Sequence, residues 1–259
     1  MKTNLIIVEG LPGSGKSTTA AMIAEELKKK RKFMSNKGKT ILLSGVITLI
    51  LFGVWTALIQ TVDVQPSGQN GTNIGFAALN LRFHELTGVN LTLYSITDWL
   101  GLVPIAVCMI FAVLGAVQLF TRRSLLKVDT DILLLGIYYI IVIFCYLVFE
   151  MIPINYRPIP IDGFMEASYP SSTTLLVLSV MPTLIFQSCR RIRRTNVNYM
   201  IYVFTALFSL FMVTGRTVAG VHWLTDIIGS VLLSAGLYLI YHGSVVIIDK
   251  KKLSKEKTQ

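Results

Sequence analysis

The sequence predicts an all-α integral membrane protein, a bundle of six transmembrane helices preceded by a short β-α fragment that carries a P-loop. Three observations predict it. Of 259 residues, 53% are hydrophobic and 15% charged, with a mean hydropathy of +0.63, far from the balance of a soluble domain. Apolar runs of about 20 residues, the length that crosses a bilayer, recur six times along the chain. These runs lack a polar face, which a helix of a soluble all-α core would keep.

The front of the chain is a separate matter. Residues 4–8, then "EGLPGSGKS", then an alanine-rich stretch to Lys30 read as strand, loop and helix. Gly10, Gly15, Lys16 and Ser17 have P-loop spacing, in which backbone N–H groups cradle phosphates, the lysine adds charge and the serine ligands Mg²⁺. Such a loop works as the first unit of a sheet of several strands that also supplies an acid for the metal. Here the first apolar run begins about ten residues after the helix, and a strand and helix of about 30 residues cannot bury a core. The fragment resembles the start of a small nucleotide kinase. Residues 1–33 are therefore read as an orphan element without function, left by a fusion or a misplaced start, and residues 34–259 from Met34 as the working unit. ATP is not expected as a partner.

The predicted spans are Thr40–Gln60, Trp99–Phe120, Asp131–Ile152, Ser171–Ser188, Asn198–Thr214 and Leu224–Ile248. Lys and Arg cluster in "KKKRK", in Arg122, Arg123 and Lys127, in "RRIRR" and in the tail "KKKLSKEK", all on one side of six spans, whereas Arg82, Arg157 and Arg216 fall on the other. By the positive-inside rule both termini are expected in the cytoplasm of a multi-pass cell-membrane protein. The net charge of +10 is mostly this signal, aided by attraction to anionic membrane lipids, so nucleic acid is not expected as a partner. The extreme amino terminus has no apolar h-region, so the first span is expected to act as its own insertion signal. Cys108 and Cys145 fall inside spans and Cys189 at an edge, which supports neither a disulfide framework nor a thiolate metal site. Between the first two spans, Phe76, Leu79, Phe83 and Leu86 recur at helical spacing and predict a short amphipathic helix on the membrane interface.

Three polar pieces converge on the extracytoplasmic level: "NYRP" at 155–158, "YPSSTT" at 169–174 and "GRTVAGVHWLTD" at 215–226. His222 and Asp226, four apart, would share a helix face, so that the carboxylate holds one ring nitrogen while the other faces outward, as a histidine nucleophile or base requires. Arg157 and Arg216 suit bidentate capture of phosphate oxygens. Ser171, Ser172 and the free amides opening the fourth span add donors backed by the helix dipole. Together they make an anion hole for a phosphoryl group.

The spacing Arg216-x5-His222-x3-Asp226, preceded by Pro170-Ser171 and Arg157-Pro158 in this order across six spans, resembles the type 2 phosphatidic-acid phosphatase superfamily, related to vanadium haloperoxidases, over about Gly38 to Ile248. The resemblance implies that His222 attacks phosphorus to form a phosphohistidine, that Asp226 orients it, that Arg157, Arg216 and Ser171 hold the equatorial oxygens, and that water releases phosphate with no metal or other cofactor. The substrate so implied is a lipid phosphate or isoprenoid diphosphate at the outer leaflet. The chain departs from the family pattern at three points. Thr173 stands where the second motif has its acid histidine, Glu150 where the first has its lysine, and Gly215 where a serine precedes the arginine. Losing a positioned acid costs about 10²–10⁴ in rate. Three outcomes stay open: hydrolysis with another acid or none, a preference for diphosphates whose leaving group needs less protonation, or binding without turnover. Thr173 and His84, the latter on the amphipathic helix, are the candidate substitute acids; His242 belongs at the cytoplasmic end. A nucleotide-dependent membrane protein is the remaining alternative, resting on the P-loop alone.

Overall fold

The computed structural model describes residues 16–66 and 72–255. The helices are α1 (Lys16–Ile59), α2 (Ala77–Thr87), α3 (Leu91–Leu100), α4 (Leu102–Arg122), α5 (Thr130–Met151), α6 (Ser172–Arg191), α7 (Thr195–Val218) and α8 (Leu224–Lys255), with a two-residue antiparallel pair, β1 (Gln65–Pro66) and β2 (Asn73–Ile74), between α1 and α2. Six stretches are long and apolar enough to cross a membrane: 36–59, 91–122, 130–151, 172–191, 195–218 and 224–252. The chain is a multi-pass membrane protein, and the six stretches overlap the six predicted from composition.

The P-loop glycines Gly10 and Gly15, and the strand expected at 4–8, lie outside the described residues. Lys16 and Ser17 open α1, which runs through Met34 to Ile59 without the interruption expected between an orphan helix and the first span. The second span is also longer than expected. It begins at Leu91, where Asn90 caps α3 by accepting the Leu93 N–H at 2.9 Å, and it bends at Gly101 into α4.

α1 and α8 run antiparallel along one side. Gly38 and Gly45 on α1, and Gly236 and Gly243 on α8, recur at seven-residue spacing and let the two backbones meet: a Cβ on Gly45 would lie 2.9 Å from the Ile240 nitrogen and 3.0 Å from the Gly236 carbonyl oxygen. In lipid there is little hydrophobic drive between helices, so such close packing is what holds them. Gly236→Leu should force the pair apart and cost about 1–3 kcal/mol, read as a lower thermal midpoint in detergent.

α6 is the most enclosed span, and neighbours meet several of its polar groups, while the Ser179 hydroxyl is buried without a partner. Tyr138 Oη donates to the Ser179 carbonyl at 2.9 Å, and the Tyr139 and Thr183 hydroxyls pair at 2.7 Å. At the end holding the α6–α7 connection, Arg190 joins Asp131 (3.0 Å) to Asp249 (2.7 Å), and Arg191 also reaches Asp131 (2.9 Å), which ties α5, α6 and α8 together. His242 packs on Phe186, its neighbour in this half of α6, at 4.6 Å.

α2 covers the start of α8 with a different face from the predicted one. Leu79 and Leu86 are exposed, whereas Ala77 and Asn80 are buried and Leu81 packs beside Ile74 and Trp223. The reason is the Asn80 amide, which donates to the Gly75 carbonyl and the Thr225 hydroxyl, both at 2.9 Å, and accepts from the Thr225 N–H. A buried amide must be satisfied, and this one turns the helix until it is.

Candidate active site

The ends of α5 and α7 and the starts of α6 and α8 meet at one end of the bundle. Two connections carry side chains into it. Residues 152–171 fold back at Ile161-Asp162-Gly163-Phe164, where Asp162 and Gly163 both have positive φ (49° and 82°) and Ile161 and Phe164 exchange backbone hydrogen bonds of 3.0 and 2.9 Å. That is the Asp-Gly two-residue hairpin. It sets Arg157 opposite Glu166 and returns the chain through Ser168 to α6. The second connection, between α7 and α8, turns at Gly220 (φ 70°), where a Cβ would run into the Gly88 carbonyl, and is pinned by the Asn90 N–H to Ala219 carbonyl bond of 3.0 Å. His222 follows in this turn.

His222 is buried and precedes α8 rather than lying on it, so the expected helix-face contact with Asp226 does not form: the Asp226 oxygen is 3.9 Å from Nδ1. Ser168 stands between them. Its carbonyl accepts from His222 Nδ1 at 3.1 Å, and its hydroxyl donates to Asp226 at 2.5 Å while lying 3.1 Å from the same Nδ1. A carbonyl oxygen can only accept, so Nδ1 carries the proton and Nε2 the lone pair. Burial, then the charges of Arg157 and Arg216, hold the imidazole well below its ordinary range, and only the Ser168 carbonyl opposes this. The ring is neutral at neutral pH, with a nucleophilic nitrogen that has no partner. Asp226 has a second duty. As the third residue of α8 it accepts the Trp223 N–H at 2.9 Å, the carboxylate half of a capping box, and Asn155 donates to it at 3.2 Å.

Arg216 and Arg157 both lie over the Tyr94 ring, 4.7 and 5.7 Å from its centroid. Arg216 donates to the Thr173 hydroxyl at 2.6 Å and pairs with Asp98 at 3.1 Å; Arg157 pairs with Glu166 at 2.9 Å. Each guanidinium is therefore aimed by one carboxylate. Arg157 Nε and Nη1 and Arg216 Nε remain buried and without partners.

The structure thus brings His222, Asp226, Arg157, Arg216 and Thr173 together and redistributes the rest. Ser171 donates to Thr174 at 3.1 Å and is fully enclosed, whereas Ser172 lines the space beside His222. Thr173, expected as a substitute acid, holds Arg216 instead. His84 packs on Trp223, 5.6 Å between ring centroids, with burial lowering its basicity; the small cavity against His222 is lined by neither His84 nor Thr173, nor by either arginine. Sequence reasoning missed Tyr94, Asp98, Asn155, Glu166 and Ser168. One signal was available: Asp-Gly at 162–163 marks a hairpin. Asp98 stands just before the predicted span Trp99–Phe120, and only the longer stretch 91–122 puts it inside an apolar span, where an ionisable residue by default marks function. Beyond the polar centre, a groove of about 240 Å³ passes Asp98 and Thr173 and continues between Leu102, Ile105, Val142 and Leu176. Among the described residues no group of three or more His, Cys, Asp or Glu side chains has metal-binding geometry.

No curated protein sequence matches the chain. The crystal structure described as the first transmembrane PAP2 type phosphatidylglycerolphosphate phosphatase from Bacillus subtilis aligns over 80% of this chain and 96% of its own, at 17% identity and a TM-score of 0.57. Residues 132–247 match the model of the PAP2 superfamily. The chain therefore shares the fold of that transmembrane protein, and the stretch resembling the PAP2 superfamily is the one that carries Arg157, Arg216, His222 and Asp226.

Proposed function

We propose that the protein is a membrane phosphatase that hydrolyses a lipid phosphate or isoprenoid diphosphate at the extracytoplasmic leaflet through a phosphohistidine on His222. The observation that carries this reading is the set of buried, partnerless atoms: three guanidinium nitrogens beside an imidazole whose free nitrogen bears a lone pair. Buried donors without acceptors cost free energy, and a phosphoryl group supplies the acceptors. Nε2 attacks phosphorus as the bond to the leaving oxygen breaks, and the arginines stabilise the charge on the equatorial oxygens. Water then attacks phosphorus and the N–P bond breaks. The Ser168 carbonyl and Asp226 keep Nδ1 protonated, so Nε2 stays the attacking atom in each cycle. The apolar groove beside Asp98 suits a tail that remains in the bilayer. The basic residues flanking the α6–α7 connection, at the far end of α6 from the site, favour a cytoplasmic location for that end, and so an outward-facing site.

The test is phosphate release from detergent-solubilised protein, without added metal, on phosphatidic acid, phosphatidylglycerol phosphate and undecaprenyl diphosphate. Release from at least one is expected. Retention of the lipids with no release would favour instead a homologue that binds without turnover, a reading to which the Thr173 and Glu150 departures lend weight. Alkaline phosphatase fused after Gln259 should stay inactive, and an active fusion would reverse the orientation.

A further inference from the structure

Four carboxylates lie at or around the proposed site, and three are engaged: Asp226 with Ser168, Trp223 and Asn155, Asp98 with Arg216, and Glu166 with Arg157. Glu150 is the fourth. It sits exposed in the last turn of α5 and makes no ion pair among the described residues. It lines, with His222, Tyr146, Tyr169 and Ser172, a small cavity of about 10 Å³ that Arg157 and Arg216 do not line, so its carboxylate stands on a side of the imidazole away from the guanidinium groups. This is a carboxylate where the resemblance implies a phosphate-binding cation, so it works against binding of a dianion and calls for another use.

We infer that Glu150 is the general base of the second half-reaction, placed to take a proton from the water that attacks the phosphohistidine, and that the substrate is consequently a lipid diphosphate. The inference rests on the proposed phosphatase reading. In the first half-reaction the Nε2–P bond forms to the terminal phosphorus and the P–O bond to the bridging oxygen breaks. The leaving group is a lipid monophosphate, an anion that departs without a proton, so Glu150 stays ionised and the missing histidine acid is not needed. In the second, the water oxygen bonds to phosphorus, the N–P bond breaks and the water's proton passes to the Glu150 carboxylate. A carboxylate accepting the nucleophile's proton beside a phosphoryl group is the arrangement protein kinases use. A lipid monoester would instead expel an alkoxide, for which this site holds no placed acid.

The test uses the full chain in detergent with farnesyl diphosphate labelled with ³²P at the terminal phosphate, and ³²P-phosphatidic acid. Wild type should turn over the diphosphate at least about 10²-fold faster than the monoester, the scale set by one absent acid. Glu150→Gln should release one equivalent of farnesyl monophosphate per chain at the wild-type rate and then stall, with steady turnover down about 10²–10⁴ and acid-labile, base-stable ³²P left on the protein. Glu150→Asp should recover part of the turnover. Steady turnover of Glu150→Gln equal to wild type, or a slow phase without trapped ³²P, overturns the inference while leaving the phosphatase reading intact, as does equal wild-type use of both substrates. An inert wild-type protein, or an active His222→Ala, sinks both together.

Discussion

His222→Ala should abolish phosphate release, by about 10⁴-fold or more, because loss of a covalent nucleophile removes the step on which every other group acts. The same substitution should prevent any ³²P from remaining on the chain. The variant is expected to fold, since the ring's Nε2 has no protein partner and only the bond from Nδ1 to Ser168 is lost. The pH dependence follows from the direction in which the imidazole is shifted. With its folded-state value held well below the ordinary histidine value of 6.5, the ring is uncharged in the native protein across the range in which an unfolded chain would take up a proton. Its contribution to stability is thus complete above about 6.5 and is lost as pH falls from there towards the folded-state value. The acid limb of the rate profile should accordingly lie below pH 6.5. A half-maximal rate at or above 6.5, with that limb assigned to His222 by NMR titration, would show that burial and the two guanidinium groups do not govern the ring.

The second large effect concerns Asp226. Asp226→Ala should lower stability by about 3 kcal/mol, the scale of stranding buried donors and losing a helix cap, because it deprives the Ser168 hydroxyl, the Trp223 N–H and the Asn155 amide of one shared acceptor. Turnover should fall by about 10²–10⁴ as well, since Ser168, whose carbonyl fixes the imidazole, keeps only its backbone bond to the Asn155 carbonyl as an anchor. Ser168→Ala separates the two effects. It keeps the cap on α8 and the backbone carbonyl but removes the hydroxyl, so activity should drop more than the thermal midpoint does. If Ser168→Ala keeps wild-type turnover, Asp226 acts as a cap only and not through the ring.

Several elements were legible in advance for a definable reason. A span announces itself locally: hydropathy over about 20 residues needs no knowledge of neighbours, and this is why six runs could be placed. Ends were less legible. Asn90 has a cap residue's chemistry, yet it stands outside the apolar run, so the second span, expected from Trp99, in fact opens about two turns earlier, at Leu91. The covered face of α2 was misread because hydrophobic spacing alone favoured Phe76, Leu79, Phe83 and Leu86, while a single buried amide, Asn80, fixed the rotation. His222 and Asp226 sit four apart, but only the structure places the histidine before the helix begins.

What the sequence determined by itself was the class of molecule and the inventory of the site: a membrane bundle, with two arginines, a histidine and an aspartate delivered to one end by segments whose order and spacing are written in one dimension. What only the tertiary structure decided was how those groups are divided among partners. The Ser168 bond to His222 spans 54 positions and the Asp98 pair with Arg216 spans 118, so no local pattern encodes them. Hydrogen bonds and ion pairs act over about 3 Å, and that distance is set by how helices pack, through Gly45 against Gly236 at one side and the Asp162-Gly163 turn at the other. That packing leaves Glu150, apart from Asp226, as the acid that shares a cavity with the imidazole.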